Sequence, residues 1–233
     1  MPISHKDNII FVHIPKTGGG SIEKTLGIFG EDNKGSLNPN LNILYGKKDN
    51  KLLQHLTLNE INKLKNKECS SYKKVSFVRN PFDKIVSEYL WRIQIYCKKK
   101  IEFKKYLIEE VIPRKNGINT FVKDFYKNEN ILPILDIHYL EQYKFLIDEK
   151  NNIKIDFVGK FENLEKDFEK IFKLKLINYK IHKTKSHYLY YLSKKFLPAF
   201  FNKKMYRKFF DNESKDLMKK EYSNDFEYFN YEF

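Results

Sequence analysis

The sequence predicts an α/β fold built on a mainly parallel sheet. Three observations predict it. Two short runs rich in β-branched and aromatic residues, 9–14 and 74–78, read as buried strands. A turn-forming segment follows each run directly, and a helical apolar pattern follows each turn. In folds of this kind ligands bind beyond the carboxyl ends of strands, where helices begin.

The first run is Ile9-Ile10-Phe11-Val12-His13-Ile14, ended by Pro15. Lys16-Thr17-Gly18-Gly19-Gly20-Ser21 comes next, and Ile22, Thr25, Leu26 and Phe29 then recur at helical spacing. Residues 31–50 are polar and turn-rich and read as a loop. Thr57-Leu58-Asn59-Glu60 has the spacing of a capping box and predicts a helix over 58–66. The second strand ends at Arg79-Asn80-Pro81, and a helix is expected over 83–96. Further helices are expected at 101–111 and 118–127. Residues 145–147 and 153–158 flank a turn cluster, which predicts a hairpin or a strand ending near Gly159. Asn163 and Asn212 are expected to cap two later helices, reaching to about Phe172 and Tyr222.

Composition bounds the function. The chain has 233 residues, 41% hydrophobic and 16% aromatic, enough for a substantial core in a single domain spanning 1–233. Its net charge is +14, from 44 Lys+Arg against 30 Asp+Glu. That balance favours polyanionic or phosphorylated partners, although a Lys-, Asn- and Ile-rich composition also reflects base composition alone. Only Arg79, Arg92, Arg114 and Arg207 are arginines. Two cysteines make neither a disulfide framework nor a zinc site, and no metal cluster is expected. No apolar run approaches the roughly 20 residues of a membrane span, and no cleavable signal pattern opens the sequence. A cytoplasmic protein is the expectation.

Residues 15–21 carry the clearest chemistry. Consecutive glycines let backbone N–H groups approach an anion, Lys16 adds a full charge, and Thr17 and Ser21 add hydroxyls. The order is not that of a nucleotide-triphosphate loop, in which lysine follows the glycines. Arg79 forms a second anchor. It ends a strand, and its planar fork of donors matches phosphate oxygens. Ser87 lies eight residues later, about two helical turns along.

The string Phe11-Val12-His13-Ile14-Pro15-Lys16-Thr17-Gly18-Gly19-Gly20-Ser21-Ile22 resembles the 5′-phosphosulfate loop of sulfotransferases that use 3′-phosphoadenosine-5′-phosphosulfate (PAPS). The branch it resembles most is that of carbohydrate sulfotransferases, the heparan and chondroitin types and their short bacterial relatives. Ser76-Phe77-Val78-Arg79-Asn80-Pro81 through Ser87 resembles the same family's 3′-phosphate segment. Gly159-Lys160-Phe161-Glu162-Asn163-Leu164 and the ending at 206–233 are similar to further family segments. The chain departs from the family string at Gly18, where Ala is common, and at Gly20, where a Thr hydroxyl is common.

The resemblance implies a three-layer fold like that of P-loop NTPases. It also implies sulfuryl transfer from PAPS to a carbohydrate hydroxyl, with a glycan acceptor and no obligatory metal. It assigns Lys16, Thr17, Gly18, Gly19, Gly20, Ser21 and Ile22 to the 5′ end of the cofactor, and Arg79 and Ser87 to its 3′-phosphate. Lys16 is then the group that stabilises the leaving phosphate. His55 resembles a recurrent histidine between the two cofactor motifs and is the expected general base, with His138 the alternative. His13 reads as structural, and His5 as part of a frayed terminus. Residues 174–210 hold ten Lys/Arg, ten aromatics and no acid. They read either as a basic flap closing over the cofactor or as a solvated helix pair.

Two other classes compete. A P-loop-type nucleotide kinase or other phosphotransferase requires a lysine after the glycines and a magnesium-binding acid, and neither is clear. A basic nucleic-acid-binding protein accounts for the charge but not for two separate phosphate motifs. A family member that binds PAPS without turnover is a further possibility, because of Gly20.

Overall fold

The computed structural model describes residues 3–28, 47–48, 51–64, 67–95, 101–120, 122, 126, 135–177 and 205–233. They fall into two compact units, one within residues 1–79 and 140–180, the other within 80–139 and 181–233.

The first unit holds the sheet. Strand β1 (Ile3–Ser4) turns back antiparallel onto β2 (Ile9–Val12). Strand β5 (Lys73–Val78) lies parallel to β2 and to β6 (Phe157–Lys160), giving the order β1-β2-β5-β6. Val12 pairs with Ser76, and Ser76 with Val158. The Ser76 hydroxyl also donates to Val12 O at 2.7 Å, which pins the register of the two strands. All four residues of β2 are buried, as a central parallel strand requires. A small antiparallel pair, β3 (Lys47–Lys48) with β4 (Lys51–Leu52), occupies the end of the expected 31–50 loop; most of that loop lies outside the described residues.

Helix α1 (Gly19–Thr25) follows β2, and α6 (Leu164–Phe172) follows β6. Ile22 of α1, Leu26 just past its end and Phe168 of α6 close over Phe11, Val75 and Phe77 of the sheet. Burying side chains of this size contributes about 1.5–3 kcal/mol each. Helix α2 (Leu58–Leu64) starts with the expected capping box. Thr57 N donates to Glu60 Oε2 at 2.9 Å and Glu60 N to Thr57 Oγ1 at 3.4 Å. Ile147 bridges Ile153 antiparallel around the expected turn. Asn163 makes no side-chain cap bond to α6. Instead the Asp167 carboxylate accepts from Lys160 N at 2.8 Å, fastening the helix to the end of β6. His5 is not frayed, because its Nδ1 bonds Tyr72 Oη at 2.9 Å.

The second unit is helical. Helix α3 (Pro81–Ile95) opens with proline at its first position, where a missing N–H costs nothing. Asn80 Oδ1 accepts from Phe82 N at 3.1 Å, and Asn80 Nδ2 donates to Glu232 O at 2.7 Å. Helix α4 (Phe103–Tyr106) runs through a π-helical turn (Leu107–Val111) into α5 (Ile112–Lys115), so it outlasts the expected 101–111. Residues 118–120 are not helical, and most of the expected helix over 118–127 lies outside the described residues. Helices α7 (Asn212–Glu221) and α8 (Ser223–Phe229) end the chain. Asp211, not Asn212, caps α7: its side chain accepts from Ser214 N at 2.8 Å. Phe82, Tyr89, Tyr106, Tyr139, Tyr206, Met218 and Tyr222 form part of this unit's core. Residues 178–204, the centre of the basic aromatic stretch, lie outside the described residues. No helix among the described residues is long and apolar enough to cross a membrane.

Candidate active site

Three adjacent parallel strands deliver three segments to one edge of the sheet. Past β2 comes the loop through Lys16, past β5 comes Arg79, and past β6 comes Phe161. These segments then meet. Arg79 Nη1 donates to Lys16 O at 3.0 Å, and the guanidinium lies over the Phe161 ring, 4.1 Å from its centroid. Gln142 fixes the Arg79 backbone from both sides. Arg79 N donates to Gln142 Oε1 at 2.8 Å, and Gln142 Nε2 donates to Arg79 O at 2.7 Å.

The loop's shape follows from its residues. Gly18 sits at φ +86°, and a Cβ there would stand 2.8 Å from Leu164 and 3.2 Å from Phe161. Glycine is needed both for the angle and for the space. A Cβ on Gly19 would lie 2.1 Å from His13 Nε2, so the histidine ring occupies the side-chain position. Lys16 adopts φ +68°, a left-handed conformation that costs a non-glycine residue about 1–3 kcal/mol. Thr17 is buried and its hydroxyl donates to Ile14 O at 2.8 Å, directed at the loop's own backbone. The Ile22 side chain is buried in the core, which leaves its main chain for any ligand. Gly20 and Ser21 are half-buried.

His55 lies in a 3₁₀ turn (Leu53–His55), 7% exposed. Its Nδ1 stands 2.9 Å from His13 O. A carbonyl only accepts, so Nδ1 carries the hydrogen and a neutral ring keeps its lone pair on Nε2. The His13 and His55 rings meet edge to face, with centroids 4.6 Å apart. His13 Nδ1 bonds Glu23 Oε1 at 2.6 Å, and Gln54 Nε2 donates to Glu23 Oε2 at 2.9 Å.

The structure thus brings Lys16, the glycines, Arg79 and His55 together within the first unit. Ser87 and His138 belong to the second unit. Ser87 is half-buried on α3. His138 is buried, with Nδ1 2.9 Å from Glu88 Oε2, its carbonyl accepting from Lys84 Nζ at 2.6 Å, and its ring stacked on Trp91. Sequence reasoning gives no role to Glu23, Gln54 or Gln142. It notices Phe161 only as part of a similar segment, and no local pattern reveals its double contact with Gly18 and Arg79.

The profile of the Sulfotransferase family matches residues 1–232. The chain belongs to the sulfotransferase family. No curated protein and no solved structure matches it. Membership makes the chain a transferase of sulfuryl groups and accounts for the P-loop-like sheet with flanking helices.

Proposed function

We propose that this sulfotransferase uses PAPS as its donor and a carbohydrate hydroxyl as its acceptor, and that residues 1–233 act as one domain of the short bacterial type. One observation carries the reading: the arginine of one phosphate motif donates a hydrogen bond to the lysine of the other. Two motifs 63 residues apart in sequence share one edge of the sheet, as a doubly phosphorylated nucleotide requires.

The residues present fit such a nucleotide. The glycines lie against His13, Phe161 and Leu164, so the loop's backbone is supported from behind. Lys16 and Arg79 supply positive charge from residues that are hydrogen-bonded to each other. Bound PAPS would supply an already activated sulfuryl group. Lys16 would stabilise charge on the leaving phosphate, and preorganised groups of this kind are worth about 10²–10³ in rate. Arg79 would hold the 3′-phosphate, and the main-chain amides from Gly18 to Ile22 would hold the 5′ end. His55, with Nε2 as its lone-pair nitrogen, would take the acceptor's proton. A glycan is the acceptor class that the similar branch points to.

The test is a thermal-shift and calorimetric comparison of 3′-phosphoadenosine-5′-phosphate (PAP), ATP with magnesium, and an oligonucleotide. PAP should stabilise the protein, and Arg79→Ala should weaken that effect. Radiolabelled PAPS with a panel of unsulfated glycans then identifies the acceptor. A shift with ATP and none with PAP would overturn the donor assignment. Transfer to a protein or small phenol with no glycan labelled would overturn the acceptor assignment.

A further inference from the structure

Glu23 links the phosphate loop to the turn that bears His55. It is fully buried on α1, between two donors. Oε1 takes His13 Nδ1 and Oε2 takes Gln54 Nε2. His13 and Gln54 are also the two residues that frame His55. His13 supplies the carbonyl that accepts from His55 Nδ1, and its ring packs edge-on against the His55 ring. Gln54 is the chain neighbour of His55 in the same 3₁₀ turn. The His13 ring in turn fills the space beside Gly19. One carboxylate therefore ties the phosphate loop, the end of β2 and the turn bearing His55 into a single cluster.

We propose that Glu23 is a positioning residue that holds His55 in its Nδ1–H form beside the phosphate loop, leaving Nε2 as the proton acceptor. The proposal rests on reading His55 as the acceptor base. A carboxylate suits the place, because it accepts from His13 and from Gln54 at once. A glutamine side chain there has one carbonyl oxygen and one NH2 group, so it can accept from His13 but meets Gln54 donor to donor until the Gln54 amide turns over. Left with a mismatched hydrogen bond, the buried cluster has to shift.

The same chemistry designs the test. In the double variant E23Q/Q54E the carboxylate moves across the contact. The carboxylate introduced at position 54 then accepts from the amide introduced at position 23. The carbonyl of that same amide accepts from His13, so both of these hydrogen bonds are kept. The full chain, labelled with ¹⁵N-histidine, reports the tautomer of His55 directly in two-bond ¹H–¹⁵N spectra, with His55→Gln as the assignment control. PAP calorimetry on the same samples reports the loop. The wild type should show His55 as Nδ1–H. Glu23→Gln should lower the ratio of Nδ1–H to Nε2–H forms by about threefold or more, and turnover with the labelled glycan by roughly 10–100-fold, as outer partners of an oriented imidazole do. The double variant should return both toward wild type.

A His55 spectrum unchanged in Glu23→Gln overturns the proposal, and so does an Nε2–H form in the wild type. If Glu23→Gln fails to fold, Gln54→Ala keeps the His13–Glu23 pair and removes the other arm; an unchanged His55 spectrum there overturns the proposal equally. Absence of PAP binding by the wild type would sink the PAPS assignment instead, while the tautomer ratio would still decide whether Glu23 holds His55.

Discussion

Each of the two units buries a network of charged and polar side chains, and the two networks end differently. In the first unit the chain Gln54–Glu23–His13 reaches His55 on one side and Gly19 on the other, both at the candidate site. In the second unit the network is centred on one arginine and runs on through Glu88 to His138. Arg92 is fully buried and donates to Glu88 Oε1 at 2.7 Å, Tyr126 Oη at 3.0 Å and Leu135 O at 3.1 Å, with Glu110 Oε1 at 3.4 Å. Its guanidinium lies over the Tyr139 ring at 4.5 Å. Glu110 accepts in turn from Tyr126 and Tyr139, and Tyr106 bonds Tyr139 at 3.0 Å. Burial alone would lower the guanidinium's pKa, but Tyr139, Tyr106 and Glu88 outweigh it and hold it above its ordinary value. Similar residue types thus serve two ends. One network lies at the candidate site, and the other joins α3, α4 and the π-helical turn into a core.

The largest effect that tests this contrast is on stability. Arg92→Ala leaves Glu88 and Glu110 buried without their cation, and breaking a pair of this kind costs about 3–5 kcal/mol. Urea unfolding should show that loss. A shift under about 1 kcal/mol would mean that the Arg92 network does not hold the core.

Lys16 should behave in the opposite way. Lys16→Gly relieves a left-handed backbone, so unfolding should show a gain of about 1 kcal/mol after glycine's entropy is counted. Sulfuryl transfer should fall roughly 10²–10³-fold in the same protein. Stability lost together with activity would place Lys16 among the structural residues and erase the contrast.

A smaller effect lies at alkaline pH. Burial pushes the Tyr106 and Tyr139 hydroxyls well above their ordinary range, and Tyr126 likewise, against the lowering pull of Arg92. The folded state therefore keeps these protons when the unfolded chain, with tyrosines near pKa 10, has released them. Their contribution is fully present below about pH 10 and is lost as pH rises beyond it. Ultraviolet titration of tyrosinate should show these groups ionising only with unfolding. Smooth ionisation of every tyrosine in the native protein would contradict the closed packing.

The same contrast separates what local sequence reveals from what it hides. The strands expected at 9–14 and 74–78, and found at 9–12 and 73–78, were legible because buried parallel strands are rich in β-branched and aromatic residues, and the turns after them because proline and glycine break such runs. That Lys16 and Arg79 stand at the same edge follows from two strand–turn–helix units in one sheet. The hold on His55 was not legible. Glu23 meets Gln54 across 31 residues, and His55 meets His13 across 42, and no periodicity encodes such pairings. Beyond Glu88 one helical turn before it, Arg92 reads only as a polar position on a helix, because its other partners come from residues 18, 34 and 43 positions away. The cap of α7 lies one residue before the expected Asn212, since Asp and Asn compete as neighbours there and side-chain geometry chooses Asp211.

That cap gives the smallest effect and the finest test. Asp211 accepts from Lys104 Nζ at 2.8 Å and from Ser214 N and Oγ, at 2.8 and 2.6 Å. The Lys104 hydrogen bond, followed by those from Ser214, holds its carboxyl well below the usual carboxylate range. A depressed folded value means that the stabilisation is present above the unfolded pKa, near 3.9, and fades as pH falls through the lower folded value. Asp211→Ala should therefore lower Tm by a few degrees at neutral pH, with the difference from wild type shrinking in acid. Asp211→Asn keeps a capping oxygen for Ser214 N but loses the charge that pairs with Lys104, so it should fall between the two. Lys104 is bound by Glu213 as well, at 2.5 Å, so part of its pairing survives either substitution. Equal Tm values for the Ala and Asn variants would assign the whole effect to Lys104 and none to the cap.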